Sequence, residues 1–232
     1  RVRADEADLM RAYAAGAGCL MAYLQQALDD PDPQACGRCS VCRPDSVVPV
    51  GVSAETVAAA RTALRGRDVV LEPRKRWPSG TGRSGAIRAG GPGRALAFGD
   101  DPAWAGLLPD PHGPDGAYDA EILDGMVEVL RRFKHHWAAR PVAVVAVPSR
   151  RHPRRVASLA EAVAAAGRLP IVELFELHGP GPTGDSASGA TVRALGAMLR
   201  VRDGAPVPSG PVLLVDDTWR SGWTMTVAGS LP

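Results

Sequence analysis

The stretch that most constrains this chain is Pro211-Val212-Leu213-Leu214-Val215-Asp216-Asp217-Thr218-Trp219-Arg220-Ser221-Gly222-Trp223-Thr224. An apolar run of strand length ends on two carboxylates. A short loop with Ser221, Gly222 and Thr224 follows, and then residues that open a helix. This order suits a phosphorylated ribose. Loop N–H groups and a helix N-terminus can hold a phosphate, and Gly222 lets the backbone approach it closely. Ser221 and Thr224 can donate hydroxyl bonds. Asp216 and Asp217 can accept from vicinal ribose hydroxyls or sit near a Mg²⁺. The same residues also read as a buried parallel strand that ends in an ordinary Asp-rich turn.

Four apolar residues, two acids and a Ser/Thr-Gly-x-Thr loop resemble the phosphoribosyl-pyrophosphate (PRPP) loop of type I phosphoribosyltransferases. The resemblance implies a parallel Rossmann-like sheet. It also implies a phosphoribosyl site at Asp216, Asp217, Thr218, Arg220, Ser221, Gly222 and Thr224, with Mg²⁺ accompanying PRPP.

The residues upstream fit a unit of that kind. Glu121 to Trp137 is an amphipathic helix with Ile122, Met126, Val129, Leu130, Phe133 and Trp137 on one face. His135 and His136 near its end complement the helix dipole. Pro141 to Val147 reads as a buried strand, followed by a helix through Val156, Leu159 and Val163, a strand over Ile171–Phe175 and a helix over Thr191–Leu199. Strand, crossover helix and strand indicate an α/β unit, whose ligands bind beyond the carboxyl ends of the strands. Ser149, Arg150 and Arg151 occupy one such end and look like the pyrophosphate loop of the same family. His152-Pro153-Arg154-Arg155 is similar to the ComF/GntX branch, although that branch's Arg-Gly-Phe-Asn-Gln stretch is absent. Residues 179–189 stand where the family has its flexible catalytic loop, with Arg193 the nearest basic residue. No segment resembling a nucleobase hood follows, and the last strand of the sheet is missing. Catalytic residues and the acceptor stay unknown.

All four cysteines lie in the first 45 residues, as Cys19, Cys36, Cys39 and Cys42, spaced C-x16-C-x2-C-x2-C. Two-residue spacers let tight turns present adjacent sulfurs to a tetrahedral Zn²⁺, and Gly37 suits such a turn. A 4Fe–4S cluster also takes four cysteines. Residues 5–28 carry an apolar helical face, which includes Leu9, Met10, Tyr13, Leu20, Met21, Leu24 and Leu28. Gly16 and Gly18 break it into two helices, with Cys19 opening the second. Met10, Tyr13, Cys19, Tyr23-Leu24 and the Cys36-Gly37-x-Cys39-x2-Cys42 run resemble the zinc-binding module of RecQ-family DNA helicases. The resemblance implies a module that follows the two motor domains of a 3′-to-5′ helicase. Neither a Walker A nor a DEAH-type sequence occurs in this chain, so ATP belongs to a motor outside it.

Between these regions, residues 43–52 read as a connector. Ser53 caps a helix to about Arg65, Val69–Leu71 is a short strand, and Ala95–Phe98 is a second. Helix, strand, basic glycine-rich loop and strand suggest a small winged helix, which RecQ helicases also carry at this place. Residues 61–99 hold nine basic residues against two acids, a net of +7. Such a segment suits a phosphate backbone through counterion release. Arg74, Lys75 and Arg76 are the candidate DNA contacts. Trp77 could stack on a base, but beside Pro78 it reads first as packing. Residues 100–118 read as a linker in which Trp104 and Leu107-Leu108 dock a short helix.

The expected architecture is therefore multi-domain α/β: a helical Zn(Cys)₄ module at 1–45, a winged-helix-like basic domain and linker at 46–116, and a truncated phosphoribosyltransferase-like domain at 117–232. The chain of 232 residues has a net charge of +2 and no run long and apolar enough to span a bilayer. It reads as a cytoplasmic monomer and a fragment at both ends. This combination resembles RecQ-like helicases of RqlH type, which implies a C-terminal accessory region acting in DNA repair. It would contact DNA and bind a phosphoribosyl ligand. Two other readings are a phosphoribosyltransferase with an unknown acceptor, and an interaction domain that keeps the fold without the ligand.

Overall fold

A computed structural model of the chain describes residues 2–45, 51–88, 90–184 and 186–231. Residues 46–50 of the expected connector and Asp185 of the expected flexible loop lie outside the described residues. The chain divides into two compact units, Arg1–Ala59 and Ala60–Pro232.

The first unit opens with α1 (Val2–Ala15) and α2 (Leu20–Ala27). The break between them falls where the glycines stand, and Gly16 takes a left-handed φ of 65°. Tyr23 donates its hydroxyl to the Leu9 carbonyl at 3.1 Å, and its ring meets that of Tyr13 at 6.0 Å. No described side chain of this unit is fully buried. The apolar stripe stays open, with Met10 62% and Leu28 81% exposed. The boundary between the units falls within α3 (Ala54–Arg65), which Ser53 caps by accepting the Thr56 N–H at 3.1 Å.

The second unit is mixed α/β. The strands β1 (Val69–Leu71) and β2 (Gly93–Ala95) pair antiparallel. The second was expected at Ala95–Phe98. Its pairing stops at Ala95, and Leu96 and Ala97 turn instead onto the Trp104 cluster, with Phe98 left exposed. Next comes α4 (Ala120–Phe133), continued by a short 3-10 turn at Lys134–His136, with His135 and His136 exposed. A glycine inside a helix costs about 1 kcal/mol against alanine, yet α4 carries Gly125. The reason is Trp104, which is 3% exposed and covers this spot so closely that a Cβ would lie 2.4 Å from its ring. The expected linker is thus anchored by a packed tryptophan.

Strands β3 (Ala143–Ala146) and β6 (Val212–Val215) run parallel in register, from Ala143 opposite Val212 to Ala146 opposite Val215. On the other side of β3, Ile171 forms a single parallel bridge to Val144. Between the two, α5 (Pro153–Gly167) packs Leu159, Ala160, Val163 and Ala164 against the sheet. The strand expected at Ile171–Phe175 does not continue. The Leu174 N–H turns back onto the Val172 carbonyl at 3.0 Å. Past that kink, β4 (Phe175–Leu177) pairs antiparallel with β5 (Leu199–Val201). The helix α6 (Ser188–Met198) runs straight into β5, and α7 (Trp223–Ala228) follows the loop after β6. Burial of Val144, Val145, Leu199 and Val227, each at most 1% exposed, marks the centre of the core. Among the described residues no helix is long and apolar enough to cross a membrane.

Candidate functional site

The first unit gathers its four cysteines. Their sulfurs lie within 4.8 Å of one another, and none is in a disulfide. Cys19 is the residue that caps α2, and Gly37, at φ 65°, makes the turn between Cys36 and Cys39. Backbone N–H groups point at the sulfurs: Cys36 N–H donates to Cys19 Sγ at 3.1 Å and Cys39 N–H to Cys36 Sγ at 3.3 Å. This donation favours thiolates. The N–H of Cys42, and then that of Leu20, holds Cys39 down at about 6. The N–H groups of Ala22 and Cys36 likewise lower Cys19. Cys42 faces the sulfurs of Cys39 and Cys19 and is pushed up to about 11. A cation bound among the sulfurs would favour their thiolate forms. Sulfurs around a tetrahedral zinc stand about 3.8 Å apart, given Zn–S near 2.3 Å, and Cys19 and Cys39 stand at 4.0 Å. The four residues can hold a metal ion and fit a structural zinc.

The second unit builds its site from the parallel pair. Because β3 and β6 are neighbours pointing the same way, the loops after Ala146 and Val215 leave at the same edge of the sheet. A cavity of about 500 Å³ opens there. Ser149, Arg150 and Arg151 line it from the first loop, and Asp216, Asp217, Thr218, Arg220, Ser221, Gly222 and Thr224 from the second. Gly181–Gly184, Ser186 and Ser188 close one side, while Val147, Leu177, Leu195 and Met198 supply an apolar wall.

Gly222 holds the turn. Its φ is 75°, and a Cβ there would lie 2.5 Å from the Trp219 ring. The Ser221 and Thr224 hydroxyls have no partner among the described residues, so both are available to a ligand. Ser149 Oγ accepts the His152 N–H at 3.0 Å, which fixes the first loop. Arg150 donates to the Gly179 carbonyl, and Arg151 meets His112 at 3.3 Å.

The two carboxylates face inward. Asp216 Oδ1 accepts the Asp217 N–H at 2.9 Å. Burial first, and then the charge of Asp217, pushes the Asp216 carboxyl up to about 7. Asp217 Oδ2 sits 3.1 Å from His152 Nδ1, with the two side chains 8% and 4% exposed. Nε2 of that ring lies 3.1 Å from the Gly113 carbonyl. A carbonyl only accepts, so Nε2 carries a proton. Asp217 was expected to offer its carboxylate to ribose hydroxyls; one of its two oxygens is already committed. Mg²⁺ asks for charged, accessible carboxylate oxygens, and this inward-bonded pair fits it poorly.

Sequence reasoning noted the His-Pro-x-Arg run but did not read it as part of the site. In the structure His152 orients Asp217, and Arg155, 4% exposed, donates to the carbonyls of Asp110 and Pro114 at 3.0 and 2.7 Å. Asp115 caps α5 through the N–H groups of Arg154 and Arg155 at 3.0 and 3.3 Å. Burial opposes the charge on Asp115, but these N–H groups outweigh it and hold its carboxyl below the ordinary value. Tyr118, pushed up to about 12 by burial and then by Asp217, reaches the Asp217 carbonyl at 3.5 Å. Pro153 at the first turn of α5 was the available signal, since it marks a helix start beside a strand end.

Two other expected placements change. Arg193 points away from the cavity and donates to the Gly80 carbonyl. Arg74, expected on DNA, donates its Nε to the Ser221 carbonyl at 2.7 Å and lies over the Trp223 ring at 5.0 Å. Its charge is drawn there by a carbonyl and an aromatic face. Lys75 and Arg76 stay exposed, with no side-chain partner among the described residues. Trp77 packs, stacking on Trp223 at 6.3 Å and 18°. No protein-family model matches the chain, and comparison with curated proteins and with solved structures returned no match.

Proposed function

We propose that the second unit binds a ribose 5-phosphate group and has a type I phosphoribosyltransferase-like fold. The observation that carries this reading is a cavity lined by both the loop after β3 and the loop after β6. Its volume is in the range of small-molecule sites, about 300–1,000 Å³. The phosphate lies against the turn at Ser221–Thr224, where two unpartnered hydroxyls and a glycine-shaped backbone wait for an acceptor-rich group. Arg150, Arg151 and Arg220 add positive charge at the rim, and the Asp217 carboxylate takes a ribose hydroxyl. The inward bonding of Asp216 and Asp217 favours binding over Mg²⁺-assisted transfer. In the first unit, the cysteine geometry and its N–H donors support a structural zinc.

With the sequence resemblances, these features support a C-terminal accessory region of a RecQ-like DNA helicase, whose exposed Lys75 and Arg76 contact the DNA backbone. A thermal-shift panel of PRPP, ribose 5-phosphate, nucleoside monophosphates and sulfate, each with and without Mg²⁺, tests the phosphoribosyl reading. Ribose 5-phosphate compounds should raise the midpoint of the second unit, and Gly222→Val should abolish the shift. A panel with no shift in the wild-type chain would leave the interaction-domain reading.

A further inference from the structure

The basic glycine-rich segment after β1 does not stand clear of the cavity. It is fastened to the Ser221–Trp223 turn and to α6. Arg74 donates Nε to the Ser221 carbonyl at 2.7 Å, across 147 residues of sequence. The same guanidinium lies 5.0 Å from the centre of the Trp223 ring. Trp77 stacks on that indole at 6.3 Å. Arg193 of α6 donates to the Gly80 carbonyl, and Gly189 of the same helix is close enough that a Cβ would lie 2.6 Å from the Ser79 carbonyl oxygen.

We infer that Arg74 is a positioning residue for the phosphate-binding turn, an inference that rests on the phosphoribosyl reading of the cavity. The physical argument is a matter of direction. In a tight turn the carbonyl and N–H groups of successive peptides are rigidly related by planarity. Fixing the Ser221 carbonyl outward, on a charged donor, fixes the next N–H, that of Gly222. Gly222 tolerates φ 75°, but glycine also gives the turn freedom to leave that conformation. A charge-assisted hydrogen bond from outside, together with a guanidinium on the adjacent indole, removes that freedom before a ligand arrives. Preorganisation of this kind raises affinity without a new ligand contact. Arg74 thus acts through Ser221, while Lys75 and Arg76 beside it have no such partner.

The test uses the full chain with Arg74→Met, which keeps an unbranched stem over Trp223 but removes the donor, and Arg74→Lys, which returns a charge and a donor. Amide hydrogen exchange, read without any ligand, should rise about tenfold at Gly222 and Trp223 in R74M, with β3 and β6 unchanged, and should fall back in R74K. Calorimetric titration with ribose 5-phosphate should show about tenfold weaker binding in R74M and partial recovery in R74K. Unchanged exchange at Gly222 overturns the inference, as does an equal rise throughout the unit, which would make Arg74 a general packing residue. Equal ribose 5-phosphate affinity in R74M and wild type also overturns it. If the wild-type chain takes up no ribose 5-phosphate, the reading of the cavity fails, and the exchange measurement still decides whether Arg74 holds the turn.

Discussion

The two compact units reach order by different means. Among its described residues the first has no fully buried side chain, yet it brings four sulfurs within 4.8 Å of one another. The second has the whole of the described core, from Trp104 and Val129 to Val227. Hydrophobic burial scales with area removed from water, and a module of about sixty residues removes little. The contrast teaches where each unit is vulnerable: one through its cysteines, the other through its packing.

The largest effect should follow from metal removal. Chelation, or Cys39→Ser, should release one metal per chain and melt α1 and α2, while the second unit keeps its unfolding transition. Metal analysis with circular dichroism checks this, and iron with sulfide in place of zinc would change the identity of the site. Next in size is a core truncation. Leu199→Ala, at a position 1% exposed, should cost the second unit about 2–5 kcal/mol. Leu28→Ala, at a position 81% exposed, should change the first unit's stability by no more than about 0.5 kcal/mol. Similar losses at the two leucines in denaturant titrations would erase the contrast.

A smaller effect comes from Asp216, whose carboxyl is pushed up to about 7 by burial and by Asp217. In the unfolded chain such a group ionises near pH 4. Between about pH 4 and 7 the folded unit therefore holds a proton that the unfolded chain has lost. Its stability should fall as pH rises through that window and level off above it. Asp216→Asn should flatten the profile, whereas a profile unchanged by the substitution would place the carboxylate in a more solvated setting. The smallest effect should be on DNA binding. Lys75→Ala with Arg76→Ala should reduce the salt slope by up to about two units, one per phosphate contact. An unchanged slope would make these two residues plain surface charge.

What could be read from the sequence was local. The run Val212–Val215 with its acids and Ser-Gly-x-Thr loop, the cysteine spacing, the glycine break between α1 and α2, and the Ser53 cap all depend on near neighbours. The chain hid features set by distant partners. Leu199 reads as the end of a helix and instead opens β5 because β4 lies beside it. His152 finds Asp217 across 65 residues. Gly125 looks like a flaw in α4 until Trp104 is seen against it. Arg74 was grouped with Lys75 and Arg76 by charge alone, and only the fold distinguishes it, by bringing Ser221 and Trp223 to it.

The most direct test of the account is a crystal of the second unit's cavity soaked with ribose 5-phosphate. The account predicts the phosphate over the N–H groups of Ser221–Thr224, with both hydroxyls donating and the ribose against the Asp217 carboxylate. An empty turn at saturating ligand, or a sugar phosphate bound elsewhere with the Ser221 and Thr224 hydroxyls untouched, would contradict it.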